Sequence, residues 1–192
     1  MLTSRCVLSC LAALLLFTAC ATLPETAETP GIGPYHTVHA RLLVIEPTRR
    51  WQVMLDWQAE SSANGQARLV HAASNNVIEL RWQQDDIELR DNHSGQWRKV
   101  GIDQLAEQGI VVSPYILSHF LAGRVPPGFR SKEANHWESN KGGNLVRVIW
   151  NAASKRLELS DIKHGRRATL IILKGEKHLP ASRTAQDKNL HV

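Results

Sequence analysis

The chain has 192 residues, of which 43 % are hydrophobic and 21 % charged, and its formal net charge is +5. This balance excludes a disordered chain and fits one domain with tails, long enough to bury a core. The cations are scattered among acids rather than gathered in a stripe, which argues against nucleic acid, whereas a basic surface suits anionic head groups or acidic partners.

The N-terminal element is apolar. Arg5 is the only charge in the first 24 residues. Residues 6–18, CVLSCLAALLLFT, are too short to span a bilayer. With small residues ahead of Cys20, they describe an export signal over residues 1–19. The cysteines are Cys6, Cys10 and Cys20, so removal of that signal leaves one thiol and no internal disulfide. A lone thiol in an oxidising compartment is a liability unless blocked. The stretch Phe17-Thr18-Ala19-Cys20 resembles the bacterial lipobox, with Phe17 where Leu is usual. That resemblance implies a diacylglycerol on the Cys20 sulfur and a further acyl chain on its new amino terminus. Two or more chains anchor a protein stably, at about 0.8 kcal/mol per buried CH₂. Ala21 follows, not Asp, which by the same resemblance implies the outer membrane, with the domain facing the periplasm. Residues 20–34 read as the lipidated N-terminus and a flexible tether carrying Pro24, Pro30, Pro34, Gly31 and Gly33. At about 5–6 Å × √n the tether spans about 20 Å.

From Tyr35 onward the pattern has period two. RRWQVMLDW sets Trp51, Val53, Leu55 and Trp57 on one face, and VIELRW sets Ile78, Leu80 and Trp82 in step. DIELRD continues with Ile87 and Leu89. Turn residues separate the runs at Asn64-Gly65, Asn75-Asn76, Asp85-Asp86, Ser94-Gly95 and Gly142-Gly143. The middle changes period. GIDQLAEQG, residues 101–109, predicts a short helix ending at Gly109. SPYILSHFLAG predicts a second helix with Ser113 as N-cap, Pro114 at its first position and Gly123 as its stop. Its residues Ile116, Leu117, Phe120 and Leu121 share a face that packs on the sheet, closes a cavity mouth, or both. LVRVIW and ATLIIL complete the strands, giving a domain over 35–174 and a mobile tail over 175–192. The expected fold is mainly β with an α insert. It is an incomplete, strongly curved antiparallel β-barrel of six to nine strands, covered by short helices and able to hold one elongated apolar ligand.

No GxSxG, HExxH, CxxC or GxxxxGK[ST] occurs, so no esterase, zinc, redox-pair or nucleotide signature is present. His36 and His39 fall on opposite faces of a strand, His119 reads as a single core or rim histidine, and no metal site is expected. Asp85 and Asp86 sit at a hairpin tip, where Asp serves the turn. Tryptophans in phase with aliphatic residues fill a core or line an apolar cavity, which suits binding better than catalysis.

The order of motifs carries a resemblance. A lipobox and tether precede Trp57-Gln58, the arginine-led strand Arg68-Leu69-Val70, Ile78-Glu79-Leu80, Asp91 with Gly95-Gln96, and the block Leu105 to Gly109. In VVSPYILSHFLAGRVPPG, Pro114, Leu117, Phe120-Leu121, Gly123 and Pro126 stand where the family has its "vP…L…wl.G.P" block. Over residues 36–173 the chain resembles the LolB family of outer-membrane lipoprotein receptors. The resemblance implies a non-enzymatic protein without cofactor. It would take acylated lipoproteins, or another lipid, from a LolA-like periplasmic carrier and deliver the chains to the outer membrane. The family's β-turn after the arginine-led strand carries an exposed apolar residue; here that turn is Ala72-Ala73-Ser74-Asn75-Asn76 and is polar. The expected cavity lining is Trp51, Val53, Leu55, Trp57, Leu80, Trp82, Ile116, Leu117 and Phe120, and a monomer is expected. The alternative is a non-enzymatic envelope scaffold with the same fold and a filled core.

Overall fold

The computed structural model describes residues 31–177 apart from Ala72 and Gly109. The export signal, Cys20, the tether up to residue 30 and the tail beyond residue 177 lie outside the described residues. In chain order the elements are β1 (Thr37–Ile45), β2 (Arg50–Ala59), β3 (Asn64–His71), β4 (Asn76–Gln83), β5 (Asp86–Asp91) and β6 (Arg98–Lys99). There follow α1 (Ile102–Glu107), α2 (Pro114–Leu121), β7 (Arg130–Glu133), β8 (His136–Lys141), β9 (Asn144–Asn151), β10 (Arg156–Asp161) and β11 (Arg166–Glu176).

All the strands form one antiparallel sheet in the order β6-β5-β4-β3-β2-β1-β11-β10-β9-β8-β7. The described residues thus hold eleven strands, not six to nine. The excess comes from short, polar strands such as β7, whose RSKE is exposed throughout and shows no alternation. The first and last strands pair at the centre, and each wing is a meander running outward. The helical segment therefore links the two outer edges, β6 and β7, and must cross the gap that a closed barrel would seal. Both edges are short and charged, and β7 carries a bulge, which blunts their tendency to pair with other chains.

One face is apolar from β5 to β8. Val38, Ala40, Leu42 and Val44 show which side of β1 faces inward, and Leu157, Leu159, Leu170 and Ile172 continue the layer in the other wing. A flat sheet of this many strands, about 4.8 Å apart, would be roughly 48 Å wide. The helices are only about 9 and 12 Å long at 1.5 Å per residue. They cannot cover such a face, yet it is buried as one cluster with Leu105, Leu117 and Phe120. The sheet must wrap around its own apolar side. The architecture is a mainly β, open antiparallel barrel capped by two short helices.

Local chemistry sets the helices as the sequence predicts. The Ser113 hydroxyl accepts from the Ile116 N–H at 3.3 Å, Pro114 opens α2, and Gly123 ends it at φ 73°. Three expectations need correction. Asn64-Gly65 is not the turn but the start of β3. Gly65 lies opposite Trp82, and a Cβ there would stand 2.3 Å from the indole, so glycine makes room for the ring. Residues 31–34 are not free tether. Ile32 is fully buried, Tyr35 N–H donates to the Leu121 carbonyl at 2.7 Å, and a Cβ on Gly33 would lie 2.2 Å from that same oxygen. This segment straps down the C-terminal end of α2. At the other terminus β11 continues to Glu176, two residues past the expected end of the domain.

Candidate functional site

Beneath α2 lies a hollow of about 30 Å³ whose lining side chains are apolar throughout. Leu42, Leu55, Trp57, Ala67, Leu69 and Leu80 supply the wall from the first wing. Leu159, Ala168 and Leu170 supply the other wing, and residues 110–112 with Pro114 and Leu117 form the roof. Leu69 also lines a recess of about 260 Å³ at one end of the barrel, with Trp51, Val53 and Ile78 as apolar walls and Arg49, Arg50, His71 and Glu107 at the rim. The recess and the hollow thus share one side chain.

Six of the nine expected lining residues line the hollow or the recess, and three lie elsewhere. Leu55, Trp57, Leu80 and Leu117 line the hollow, and Trp51 and Val53 line the recess. Trp82 stacks on Trp57, with ring centroids 4.4 Å apart. Phe120 turns away toward the second wing and packs on Phe129 and Trp137 at 5.3 and 5.4 Å. Ile116 is half-buried against the core. Sequence reasoning missed Leu42, Leu69 and the Val111-Val112 roof. The first two stand in alternating strands and were legible by phase, whereas the roof is a loop without periodicity.

The covering helices are held unequally. The strap of residues 31–35 ties the end of α2, while the end of α1 is held by Arg49, whose Nη2 donates to the Glu107 carbonyl at 2.7 Å. Arg49 also bonds Glu46. The indole N–H groups of Trp51, Trp57 and Trp82 are buried without a protein hydrogen-bond partner, as are both ring nitrogens of His119. An unpaired buried donor costs about 1–3 kcal/mol. Burial, and then the Arg124 charge, hold the His119 pKa below the usual 6.5.

Other ionisable groups serve the sheet. His39 meets Asp56 at 2.6 Å on the outer face, in a cross-strand row that continues through Arg68, Glu79 and Arg90. Asp86 meets Lys99 across β5 and β6, and Asp85 lies in the β4–β5 turn.

No family model and no curated protein matches this chain. Among solved structures it is similar to a LolA superfamily protein from Nitrosomonas europaea, with 10 % identity, a TM-score of 0.46, and coverage of 85 % of this chain and 96 % of that one. At that score the likeness carries no argument by itself.

Proposed function

We propose that this protein is a non-enzymatic lipid-binding lipoprotein of the outer membrane. It would be anchored through Cys20 and accept the acyl chains of lipoproteins, or of another lipid, from a periplasmic carrier. The observation that carries the reading is the apolar hollow under a roof of two short helices whose buried faces pack on the sheet. Ligand sites of this type usually measure about 300–1,000 Å³. At about 30 Å³ the hollow does not hold the elongated ligand expected from the sequence, so uptake would require the roof to lift. The unequal fastening supports movement at the α1 end, which opens toward the recess. An entering ester carbonyl would meet the unpaired indole donors. The chain shows no nucleotide-binding motif, so a transfer would run on affinity differences alone, where about 1.4 kcal/mol gives a tenfold bias.

The test is binding of a fluorescent acyl probe to the chain from residue 21 onward. Saturable binding is expected, and Leu55→Glu should abolish it with circular dichroism unchanged. If that variant unfolds, competition by unlabelled fatty acid on the parent chain decides the matter. Transfer of a cross-linkable lipoprotein from a loaded carrier then separates a receptor from a lipid store. The small hollow favours a second reading, an envelope scaffold with a filled core. A probe that never binds, together with a stably co-purifying protein, would establish it.

A further inference from the structure

We propose that one end of the sheet, built from the β1–β2, β8–β9 and β10–β11 turns, is a docking surface for an anionic lipid bilayer. The antiparallel register brings the three turns together. In the outermost row Arg50, Ile45 and Arg167 lie side by side on β2, β1 and β11. Ile45 is 40 % exposed between its two exposed cationic neighbours. A Cβ on Gly165 would be 3.4 Å from the Pro47 ring, so the β10–β11 turn rests against the β1–β2 turn. That turn presents Ile162, 45 % exposed, with Lys163 beside it. The Ile162 N–H donates to the Leu145 carbonyl at 3.0 Å, which docks the β8–β9 turn and its exposed Lys141 alongside.

Two carboxylates at this end, Glu46 and Asp161, are withdrawn. The Glu46 side chain is 9 % exposed, bonds Arg49 and lies 3.9 Å from Arg166. The Asp161 side chain is 7 % exposed and lies 2.6 Å from His164 Nδ1. Glu107, on α1 at the rim of the recess, stays exposed, and only its backbone carbonyl accepts from Arg49. Arg50, Lys141, Lys163 and Arg167 have no ion-pair partner among the described residues. At the opposite end the turns expose Glu60, Asp85 and Glu133 alongside Lys155.

A scattered surface isoleucine needs no explanation. Two on touching turns, ringed by unpaired cations with Glu46 and Asp161 folded away, match a bilayer surface. The apolar tips enter the acyl boundary while the cations meet phosphate. Cations alone would suit an acidic protein; the isoleucines add an apolar anchor for the acyl boundary. Arg50 also belongs to the rim of the recess, so docking here presents the recess to lipid. The inference stands whether or not the interior takes up an acyl chain, because vesicle association and probe uptake are separate readouts.

The sheet, both helices and the core lie within residues 31–177, so the chain from residue 21 onward retains the folded unit. It is co-sedimented with phosphatidylcholine vesicles and with vesicles that also contain phosphatidylglycerol. Binding to the anionic vesicles alone, weakened by salt, is expected. Lys163→Ala and Arg167→Ala should each weaken it about fivefold. The pair Ile45→Ser with Ile162→Ser should weaken it at unchanged melting temperature, and Lys155→Ala with Lys177→Ala, at the other end, should leave it intact. Equal binding to both vesicle types, or an equal loss from the opposite-end pair, overturns the proposal. Absence of any vesicle binding also overturns it and assigns the patch to an acidic protein or a second copy.

Discussion

Replacing Leu80 with Ala tests how the interior is packed. Leu80 is buried on β4, lies between Ala67 and Leu89 in the register, and lines the hollow. Leu→Ala substitutions in cores cost about 2.7–5.0 kcal/mol, rising by about 24 cal/mol per Å³ of cavity left behind. Here collapse is resisted. Ladder hydrogen bonds hold β4 on both sides, the facing Ala67 has only a methyl that cannot swing in, and the new space joins an existing void. The expected cost is therefore in the upper part of that range, about 4 kcal/mol. At about 2–4 °C per kcal/mol for a chain of this size, the midpoint should fall by about 8–16 °C. Urea unfolding at unchanged m-value measures the cost directly. A loss below about 1.5 kcal/mol, the scale of a conservative swap, would refute the packing reasoning. A fatty acid that fits the enlarged hollow should recover part of the loss, and no recovery would count against interior uptake while leaving the packing intact.

Arg49→Ala removes the bond that holds the end of α1; at about 1 kcal/mol for an exposed contact, amide exchange in residues 105–108 should quicken about fivefold while β11 is unchanged. Gly65→Ala forces the Trp82 ring and the Gln58 carbonyl apart, since the new Cβ would sit 2.3 and 2.6 Å from them; a loss of about 1–3 kcal/mol and altered tryptophan emission are expected, and unchanged emission would contradict the placement. Because the folded chain lowers the His119 pKa, the unfolded chain binds the proton more readily, so stability is intact above about pH 6.5, falls as pH drops from there to the folded value, and levels off below it. His119→Phe should flatten that part of the melting-temperature profile; an unchanged slope would remove His119 as its cause. A separate loss belongs to Glu138, held below the usual carboxylate range first by its bond from Arg147, and begins only under about pH 4.5.

Much of the fold was legible because its signals are local. Trp51 to Trp57 alternate, and so do Ile78 to Trp82. Ser113, Pro114 and Gly123 are cap residues whose preferences arise within a single turn. Illegible features involve distant partners. RSKE gives no sign of being an edge strand, since β8 alone makes it one. Gly65 looks like a turn residue until Trp82 is seen to occupy its missing side chain. Ile32 looks like part of a tether until α2 and the core receive it. The nine expected lining residues share an apolar character, yet Phe120 serves the second wing and Trp51 the recess, a division that depends on where the roof crosses.

The sequence by itself determined the strand period, the two helices and their caps, and the apolar side of most strands. These follow from backbone sterics and from the order of neighbouring side chains. Tertiary structure alone decided that β1 pairs with β11, that the helical insert therefore crosses the barrel gap, and that the space beneath it is small. It alone also gathered Ile45, Ile162 and their cations at one end while drawing Glu46 and Asp161 inward. Enclosed volume and local field depend on residues close in space but more than a hundred positions apart in the chain, and no local pattern encodes that proximity.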